Sequence, residues 1–353
     1  MEKFIPFEKL SKKKQRELNA KKRNTWSPVS PVTRKPENPK AYNRQKAQKR
    51  TYEPDSVPFS LPEKWNGQKR GWMVQSKKRM NRKREGAPMD LNDIYQLTDE
   101  TEQIQRTYEF FNEDTRLNRS KAARVEFLTT VRYIERYLKP GNRILDVGAG
   151  AGEYSLYFAR KGYEVCALEL AENNIKAFRR KLSPEDRIDL VQGNAMDLSR
   201  YGDDSFDVVL VFGPLYHLHR EADRQKCISE AKRVCKLGGK LFFAFISNDM
   251  VILTEFSYRP DYFTAGDYDK ETFRLEDFPF VFHTVDGCRE MLRAGGVRIL
   301  HEVAADGVSE LLEDKINAMS DADYAQYLRY HAYICEKPEF LGMTNHLLFV
   351  GEK

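Results

Sequence analysis

Residues 144–155 read ILDVGAGAGEYS. An apolar run leads into an acidic residue, Asp146, and then into three glycines at alternate positions, Gly148, Gly150 and Gly152. Glycines that directly follow a strand indicate a turn whose backbone approaches another group closely. The stretch therefore predicts a strand, a tight loop and a helix that together hold a nucleotide or a nucleoside.

The spacing of the glycines separates the possible ligands. A P-loop requires GxxxxGK[ST], and no lysine follows Gly152. A dinucleotide fold requires GxGxxG, but the third position of that pattern is Glu153 here. A helix N-terminus favours an anion such as pyrophosphate, whereas Asp146 and Glu153 are better neighbours for a cation. The pattern favours a phosphate-free, positively charged nucleoside.

Strands and helices alternate around this loop. A helix is predicted over 119–139, where Val125, Leu128, Val131 and Ile134 recur at helical spacing before Pro140. The predicted strands are 143–149, 164–170, 188–194, 207–213, 240–247, 297–303 and 346–353. Most of these runs are continuously apolar, which is typical of a parallel sheet that is covered on both faces.

The net charge of +6 divides the chain into a basic arm and an acidic body. Residues 1–88 hold 25 Lys and Arg against 8 Asp and Glu, while residues 89–353 hold 34 against 45. The arm lacks apolar periodicity, so it is predicted to be disordered or to fold only on a partner. Its cations and its three tryptophans would suit RNA or DNA.

The composition of the chain also indicates the cellular compartment of the protein. No window is long and apolar enough for a membrane span, and no signal peptide is evident at the N-terminus. The five cysteines are scattered, with no CxxC pair, so neither disulfides nor a metal site is predicted. These features predict a cytoplasmic protein.

Further segments resemble a known family. QGNAMDL (192–198), FDVVLVFGPLYHLHREADR (206–224) and RVCKLGGKLFFAFIS (233–247) follow ILDVGAGAGEYS in the order and spacing of class I S-adenosylmethionine-dependent methyltransferases. The resemblance covers about 143–247 and extends to a bacterial branch of the methyltransferase-11/25 type, whose substrates are mostly unassigned. It implies a Rossmann-like α/β fold, with a seven-stranded, mostly parallel sheet whose last strand is antiparallel.

The resemblance also implies a domain division. Residues 1–88 form the arm, 89–140 form helices that cover the cofactor site, and 141–353 form the methyltransferase domain. Residues 250–282, which are aromatic-rich and irregular, and 308–335, a helical insertion, are expected as a lid or insertions.

The cofactor implied is S-adenosylmethionine. Glu169 ends the second strand and is expected to accept both ribose hydroxyls. Asn194 is expected to accept from the adenine amino group, and the amide of Ala195 or Met196 to donate to a ring nitrogen. The remaining cofactor-binding residues of the prediction are Asp146, Gly148, Ala149, Gly150, Gly152, Leu170, Phe212 and Gly213.

Catalytic and substrate residues are less firmly indicated, because methyl transfer needs no universal base. His217 and Tyr216 follow the fourth strand, where an open parallel sheet places its ligands, and are the catalytic candidates. Tyr108, Arg116 and His283 are the substrate-side candidates. Arg116 suits a methionine carboxylate, but it is equally explained as a surface arginine paired with a nearby acid.

Three functions remain open. The first is methyl transfer to an O or N atom, less favourably to C, of a small molecule. The second is modification of tRNA or rRNA docked through residues 1–88. The third is a non-catalytic regulator or assembly factor that binds S-adenosylmethionine.

Overall fold

The computed structural model of the protein describes residues 11–12, 93–94, 96–97, 99–110 and 113–353. The arm predicted over 1–88 lies outside the described residues, apart from Ser11 and Lys12. From residue 143 onward, strands and helices alternate as expected. The strands are β1 Arg143–Val147, β2 Glu164–Glu169, β3 Ile188–Gln192, β4 Phe206–Val211, β5 Cys235–Ser247, β6 Phe282–His283, β7 Arg298–Ala304 and β8 His346–Glu352.

One sheet contains all of these strands. Its order is β3-β2-β1-β4-β5-β8-β7, and β6 pairs with the end of β5 off this path. The pairs β1–β2, β1–β4, β2–β3 and β4–β5 are parallel, whereas β8 is antiparallel to both β5 and β7. The predicted fold is therefore confirmed, with the last strand inserted between its neighbours. The two-residue strand β6 was not predicted.

The continuously apolar strands are explained by burial of both sheet faces. Successive side chains of a strand point to opposite faces. Leu145 and Val147 of β1 pack in one core cluster, whereas Ile144 packs in another. The same alternation holds along β4, where Val209 belongs to the first cluster and Leu210 to the second. Both faces of the sheet are covered, so these strands are mostly apolar, with the buried Asp146 of β1 as an exception.

The helices lie between and beyond the strands. They are α1 Glu100–Phe110, α2 Lys121–Glu135, α3 Glu153–Arg160, α4 Glu172–Lys181, α5 Glu221–Val234, α6 Asn248–Tyr258, α7 Tyr262–Ala265, α8 Val285–Ala294, α9 Glu313–Asn317, α10 Asp321–Ile334 and α11 Pro338–Leu341, with a 3₁₀ turn at Pro214–Tyr216. The Ser120 hydroxyl caps α2 by accepting from the Ala123 amide at 3.2 Å. Among the described residues, no helix has the length and apolarity required to cross a membrane.

Two predicted boundaries differ from the structure. The helix predicted over 119–139 ends at Glu135, and Arg136 is its C-cap, so the helix stops before Pro140 is reached. Residues 250–282 were predicted to be irregular, but Asn248–Tyr258 is an eleven-residue helix. Its apolar residues Val251 and Ile252 pack in a small core with Phe280 and Phe282. Residues 308–335 contain α9 and α10.

Candidate functional site

A cleft with three adjoining chambers lies at the carboxyl ends of the parallel strands. β1 lies between β2 and β4, so successive strands are added on one side of β1 and then on the other, and open α/β sheets bind ligands at such a switch in strand order. The glycine-loop chamber is lined by Asp146, Gly148, Ala149, Gly150, Tyr154 and Phe212, among others. The Glu169 chamber is lined by Glu169, Leu170, Asn194, Ala195, Met196, Gly213 and His217, among others. The acidic chamber is lined by Glu113, Arg116, Arg119, Glu126, Tyr216, Phe280, Asp306, Glu310, Glu313 and His346, among others.

Shared walls join the three chambers into one cleft. Tyr108 of α1 lines all three of them. Gly148 lies between the glycine-loop chamber and the Glu169 chamber. Arg116, Tyr216 and His346 lie between the glycine-loop chamber and the acidic chamber. A ligand that fills one chamber therefore contacts the next.

The glycine loop depends on glycine at two positions where neighbouring groups approach closely. Gly148 has φ +78°, and a Cβ there would lie 2.7 Å from the Cδ of Pro214. Gly152 has φ +87°, and a Cβ there would lie 2.4 Å from the ring of Phe178. Positive φ is disfavoured for residues with a Cβ. Glycine at these two positions lets the loop between β1 and α3 pack closely against Pro214 and Phe178. The loop itself lines the cleft.

Asp146 is a buried carboxylate with one unsatisfied oxygen. Its Oδ2 accepts from the Ser155 hydroxyl at 2.7 Å. Its Oδ1 is buried and has no hydrogen-bond partner among the described residues. Burial raises the pKa of Asp146 to about 7. An unpaired buried acceptor is costly, so this oxygen is suited to a donor brought by a ligand in the glycine-loop chamber.

Glu169 links the glycine loop to the end of β2. Its Oε2 accepts from the Gly150 amide at 2.7 Å, and its Oε1 accepts from the Ala171 amide at 2.8 Å. Burial nevertheless raises the pKa of Glu169 above its ordinary value. Each carboxylate oxygen has a further lone pair, so the side chain can hold the loop and still accept from ligand hydroxyls.

In the turn after β3, one of the two backbone amides that were predicted to donate to the adenine ring already has a partner within the protein. The Oδ1 of Asn194 accepts from the Met196 amide at 2.9 Å. That amide is therefore already used, which leaves Ala195 as the better of the two predicted donors to a ligand. Asn194, Ala195 and Met196 all line the Glu169 chamber together with Leu170 and Gly213.

His217 lies on the nucleoside side of the predicted site. It lines the Glu169 chamber and not the acidic chamber. Its Nε2 is 2.8 Å from the hydroxyl of Tyr108. Burial lowers the pKa of His217 to about 3, so the ring is neutral at pH 7 and binds a proton weakly. A catalytic role for His217 stays a prediction, and its contact with Tyr108 also helps to position α1.

Tyr216 is placed differently from its neighbour. It lines the acidic and glycine-loop chambers, and its ring packs edge-on to Phe280, with centroids 6.1 Å apart. Burial raises the pKa of Tyr216 above its ordinary value, so its hydroxyl stays protonated. Tyr216 can shape the boundary between the chambers and donate a hydrogen bond there.

Arg116 lines the cleft but is already paired. Its Nε donates to Glu113 at 2.8 Å, and its Nη1 and Nη2 donate to the two carboxylate oxygens of Glu126 at 2.7 Å and 3.3 Å. Burial lowers the pKa of Arg116, but the two carboxylates raise it more, so the net pKa is above its ordinary value. Of the five N–H groups of a guanidinium, two remain for a ligand.

His346 completes an ion-pair network that the sequence did not indicate. Its Nδ1 lies 2.8 Å from Asp306 Oδ2 and 3.4 Å from Glu126 Oε2. Burial lowers the pKa of His346, but these two carboxylates raise it to about 9. Glu126, Asp306 and His346 have ligand atoms close enough for a metal ion. Since Arg116 and the imidazolium already neutralise the carboxylates, the group is explained as a network of ion pairs.

His283 lies away from the three chambers. Its Nε2 is 3.1 Å from the carbonyl oxygen of Leu215, and its ring packs against Phe245. It does not line any of the three chambers. Burial lowers its pKa to about 4. These contacts connect β6 to the 3₁₀ turn, and a substrate-facing role for His283 stays a prediction.

Residues 145–243 match the family model described as "Methyltransferase domain". The chain contains a methyltransferase domain. The match to this family indicates S-adenosylmethionine as the cofactor. The matched residues include the glycine loop, Glu169 and the turn after β3.

Known proteins similar to the methyltransferase domain include two enzymes of quinone biosynthesis. A demethylmenaquinone methyltransferase of Clavibacter sepedonicus is 36% identical over 119 residues, which are 33% of this chain and 46% of that protein. The ubiquinone/menaquinone biosynthesis C-methyltransferase UbiE of Cereibacter sphaeroides is 29% identical over 142 residues, 39% of this chain and 51% of that protein. The chain thus spans about half the length of these relatives.

A solved structure resembles the chain over a longer range at lower identity. The PH0226 protein of Pyrococcus horikoshii is 19% identical, covers 70% of this chain and 97% of its own, and superposes with a TM-score of 0.46.

Proposed function

We propose that the protein is an enzyme that transfers the methyl group of S-adenosylmethionine to an oxygen or nitrogen atom of a small molecule. The observation that carries this proposal is the continuity of the cleft. Arg116, Tyr216 and His346 form walls of both the glycine-loop chamber and the acidic chamber. A cofactor in the first chamber and an acceptor in the second would meet at these walls.

The residues of the cleft fit the cofactor in two parts. In the Glu169 chamber, Glu169 would accept from the ribose hydroxyls, Asn194 would accept from the adenine amino group, and the Ala195 amide would donate to the ring. In the glycine-loop chamber, the unpartnered Oδ1 of Asp146 would accept from the ammonium of the methionine end. The two remaining N–H groups of Arg116 suit the carboxylate of that end.

When bound, the cofactor supplies a methyl group on a sulfonium cation. It would thereby supply an electrophilic carbon and a sulfur leaving group that keeps the electron pair of the broken bond, while the acceptor atom would supply the lone pair for the new bond. The protein contributes by orienting the two reactants in a closed site, which lowers the entropic part of the barrier. Tyr108 and Tyr216 line the meeting point, and there they would exclude water and fix the approach of the acceptor.

Two rival acceptors are less well supported. The names of the two relatives point to a quinone precursor, but the acidic chamber holds five carboxyl side chains, which do not favour an apolar ring with a hydrocarbon tail. RNA would bring phosphates to the same carboxylates, so the RNA proposal depends on the basic arm alone.

The decisive experiment supplies methyl-labelled S-adenosylmethionine to the full chain with a small-molecule extract and, separately, with total RNA. We expect label in the small-molecule fraction. It should fall at least tenfold in Glu169→Ala and stay unchanged in Glu172→Ala, an exposed glutamate on the first turn of α4. Label in RNA alone would favour the second function. Measurable cofactor affinity without any transferred label would favour the non-catalytic one.

A further inference from the structure

The carboxyl groups of the acidic chamber divide into paired and unpaired sets. Glu113 and Glu126 pair with Arg116, and Asp306 pairs with His346. Glu310 and Glu313, which lie just before and at the start of α9, form no ion pair within 4.0 Å among the residues that the structure describes. Among the described residues, these are the two carboxylates of the chamber that have no ion-pair partner, and the chamber shares walls with the glycine-loop chamber.

Neutral groups hold these two carboxylates in place. Glu310 accepts from the Tyr258 hydroxyl at 3.0 Å and from the Asn345 side-chain amide at 2.7 Å. Glu313 accepts from the Ser120 hydroxyl at 3.3 Å. Burial raises the pKa of Glu310, because no cation compensates fully for the loss of water. A largely buried carboxylate without a counterion is costly, and a cationic ligand would remove that cost.

Three aromatic rings also line the chamber. They are those of Tyr108, Tyr216 and Phe280, which belong to α1, the 3₁₀ turn and the segment before β6. The faces of aromatic rings attract cations, most strongly where water is excluded. Carboxylates and aromatic rings that line one chamber are the combination that recognises an organic ammonium group.

Arg119 is a positively charged residue of the chamber and by itself would favour a negatively charged ligand. It lines the chamber, but it is exposed to solvent. An exposed arginine contributes little to a charge held inside, because water and salt screen it. One exposed guanidinium does not offset two carboxylates, so a carboxylate-bearing acceptor is disfavoured.

We propose that the acceptor carries a positively charged nitrogen, which Glu310 and Glu313 hold against the rings of Tyr108, Tyr216 and Phe280. This inference rests on the proposed function, since it takes the acidic chamber as the acceptor site. It adds the chemical class of the acceptor: a small organic amine, and neither a neutral ring nor an acid.

A binding experiment tests this class directly. The full chain, saturated with S-adenosylhomocysteine at pH 8, is titrated calorimetrically with a set of small aliphatic and aromatic amines. Each amine is matched with the alcohol and the carboxylate of the same carbon frame. We expect amines to bind at least tenfold more tightly than their matched alcohols and carboxylates. Equal binding within the matched sets, tighter binding of the alcohols or acids, or no binding of any amine would overturn the proposal.

Neutral variants of the two carboxylates provide the second readout. Glu310→Gln and Glu313→Gln keep the side-chain shape but remove the charge, and each should weaken the best amine about tenfold or more. Glu339→Gln, at an exposed glutamate of α11, is the matched control and should leave binding unchanged. Unchanged amine affinity in both chamber variants would refute the assignment.

The affinity for S-adenosylhomocysteine is measured on the same samples. It distinguishes a failure of the amine proposal from a failure of the proposed function. If the wild-type chain binds S-adenosylhomocysteine but prefers no amine, the amine proposal fails and the proposed function stands. If it does not bind S-adenosylhomocysteine, the proposed function itself fails.

Discussion

Asp146 has a buried oxygen without a partner and a pKa of about 7. An ordinary aspartate ionises near pH 3.9. The cause of the difference is burial, which disfavours the charged form; the Ser155 hydroxyl opposes it but does not cancel it. At neutral pH this side chain is therefore close to half ionised, and the protein can strengthen its hold on a cationic group simply by losing that proton.

The affinity for the cofactor product is expected to depend on pH for this reason. Below pH 6 the neutral carboxyl attracts the ammonium of S-adenosylhomocysteine weakly, and above pH 8 the carboxylate attracts it fully. The dissociation constant should therefore fall about tenfold between pH 6 and pH 8, with a midpoint near 7. Calorimetric titration across this range measures the change. Asp146→Asn is the control and should bind weakly with a flat profile; an unchanged profile in that variant would assign the titration to another group.

Glu169 is the residue whose removal should damage cofactor binding most. Its carboxylate holds the Gly150 amide and, in the proposed complex, both ribose hydroxyls. The loss of one charge-assisted hydrogen bond costs about 1.5–3 kcal/mol, or about 10- to 100-fold in affinity, so Glu169→Ala should weaken S-adenosylhomocysteine binding by at least this much. Glu172→Ala, an exposed glutamate paired with Lys176, is the matched control. Affinity that is equal in the two variants would contradict the ribose assignment.

At the scale of single elements, α8 gives a direct test of local structure. Thr284 and Asp286 both lie at the N-terminal end of this helix. The structure shows that the Thr284 hydroxyl accepts from the Gly287 amide at 3.1 Å, while Asp286 pairs with Arg289. Thr284→Ala should lower the free energy of unfolding by about 1 kcal/mol, measured by urea denaturation. Thr115→Ala, at an exposed loop threonine, should change it by less than half as much; equal losses would argue against the cap.

The sequence predicts some elements better than others for physical reasons. The strands that face helices on both sides are continuously apolar, so β1, β2 and β4 are found within two residues at either end. α6 was missed because NDMVILTEFSY is apolar on most of its surface and shows little helical periodicity. β6 has two residues, too few for any pattern. Element type is predictable where a continuous apolar run or a regular apolar period marks the element, and not where the pattern has no clear period or the element is very short.

The residues of the cleft also differ in how well the sequence predicts them. The glycine loop, Glu169 and the turn after β3 are local motifs, each readable from a few consecutive residues. Glu126, Asp306 and His346 come from α2, the end of β7 and the start of β8, and only the fold brings them together. Burial lowers the pKa of His217 to about 3. The extent of this burial cannot be predicted from the residues next to it in the sequence.

At the scale of the whole molecule, the basic residues are concentrated in a different part of the sequence from the residues that line the cleft. The residues that line the three chambers lie between Thr101 and Leu348, in the part of the chain where acids outnumber bases. The 25 basic residues of the arm precede this part. Cofactor binding and any binding of nucleic acid would thus use separate parts of the sequence, and their electrostatics should respond differently to salt.

Salt dependence distinguishes these two activities in the full chain without a deletion. The contacts proposed for S-adenosylhomocysteine are short and enclosed, so screening affects them little, and its dissociation constant should change less than about threefold between 50 and 200 mM NaCl. If the arm neutralises six or more RNA phosphates, RNA affinity should fall about 1,000-fold over the same interval. Calorimetry and filter binding measure the two constants. RNA affinity that resists salt, or that competes with S-adenosylhomocysteine, would instead place RNA in the cleft and favour modification of nucleic acid over methylation of a small molecule.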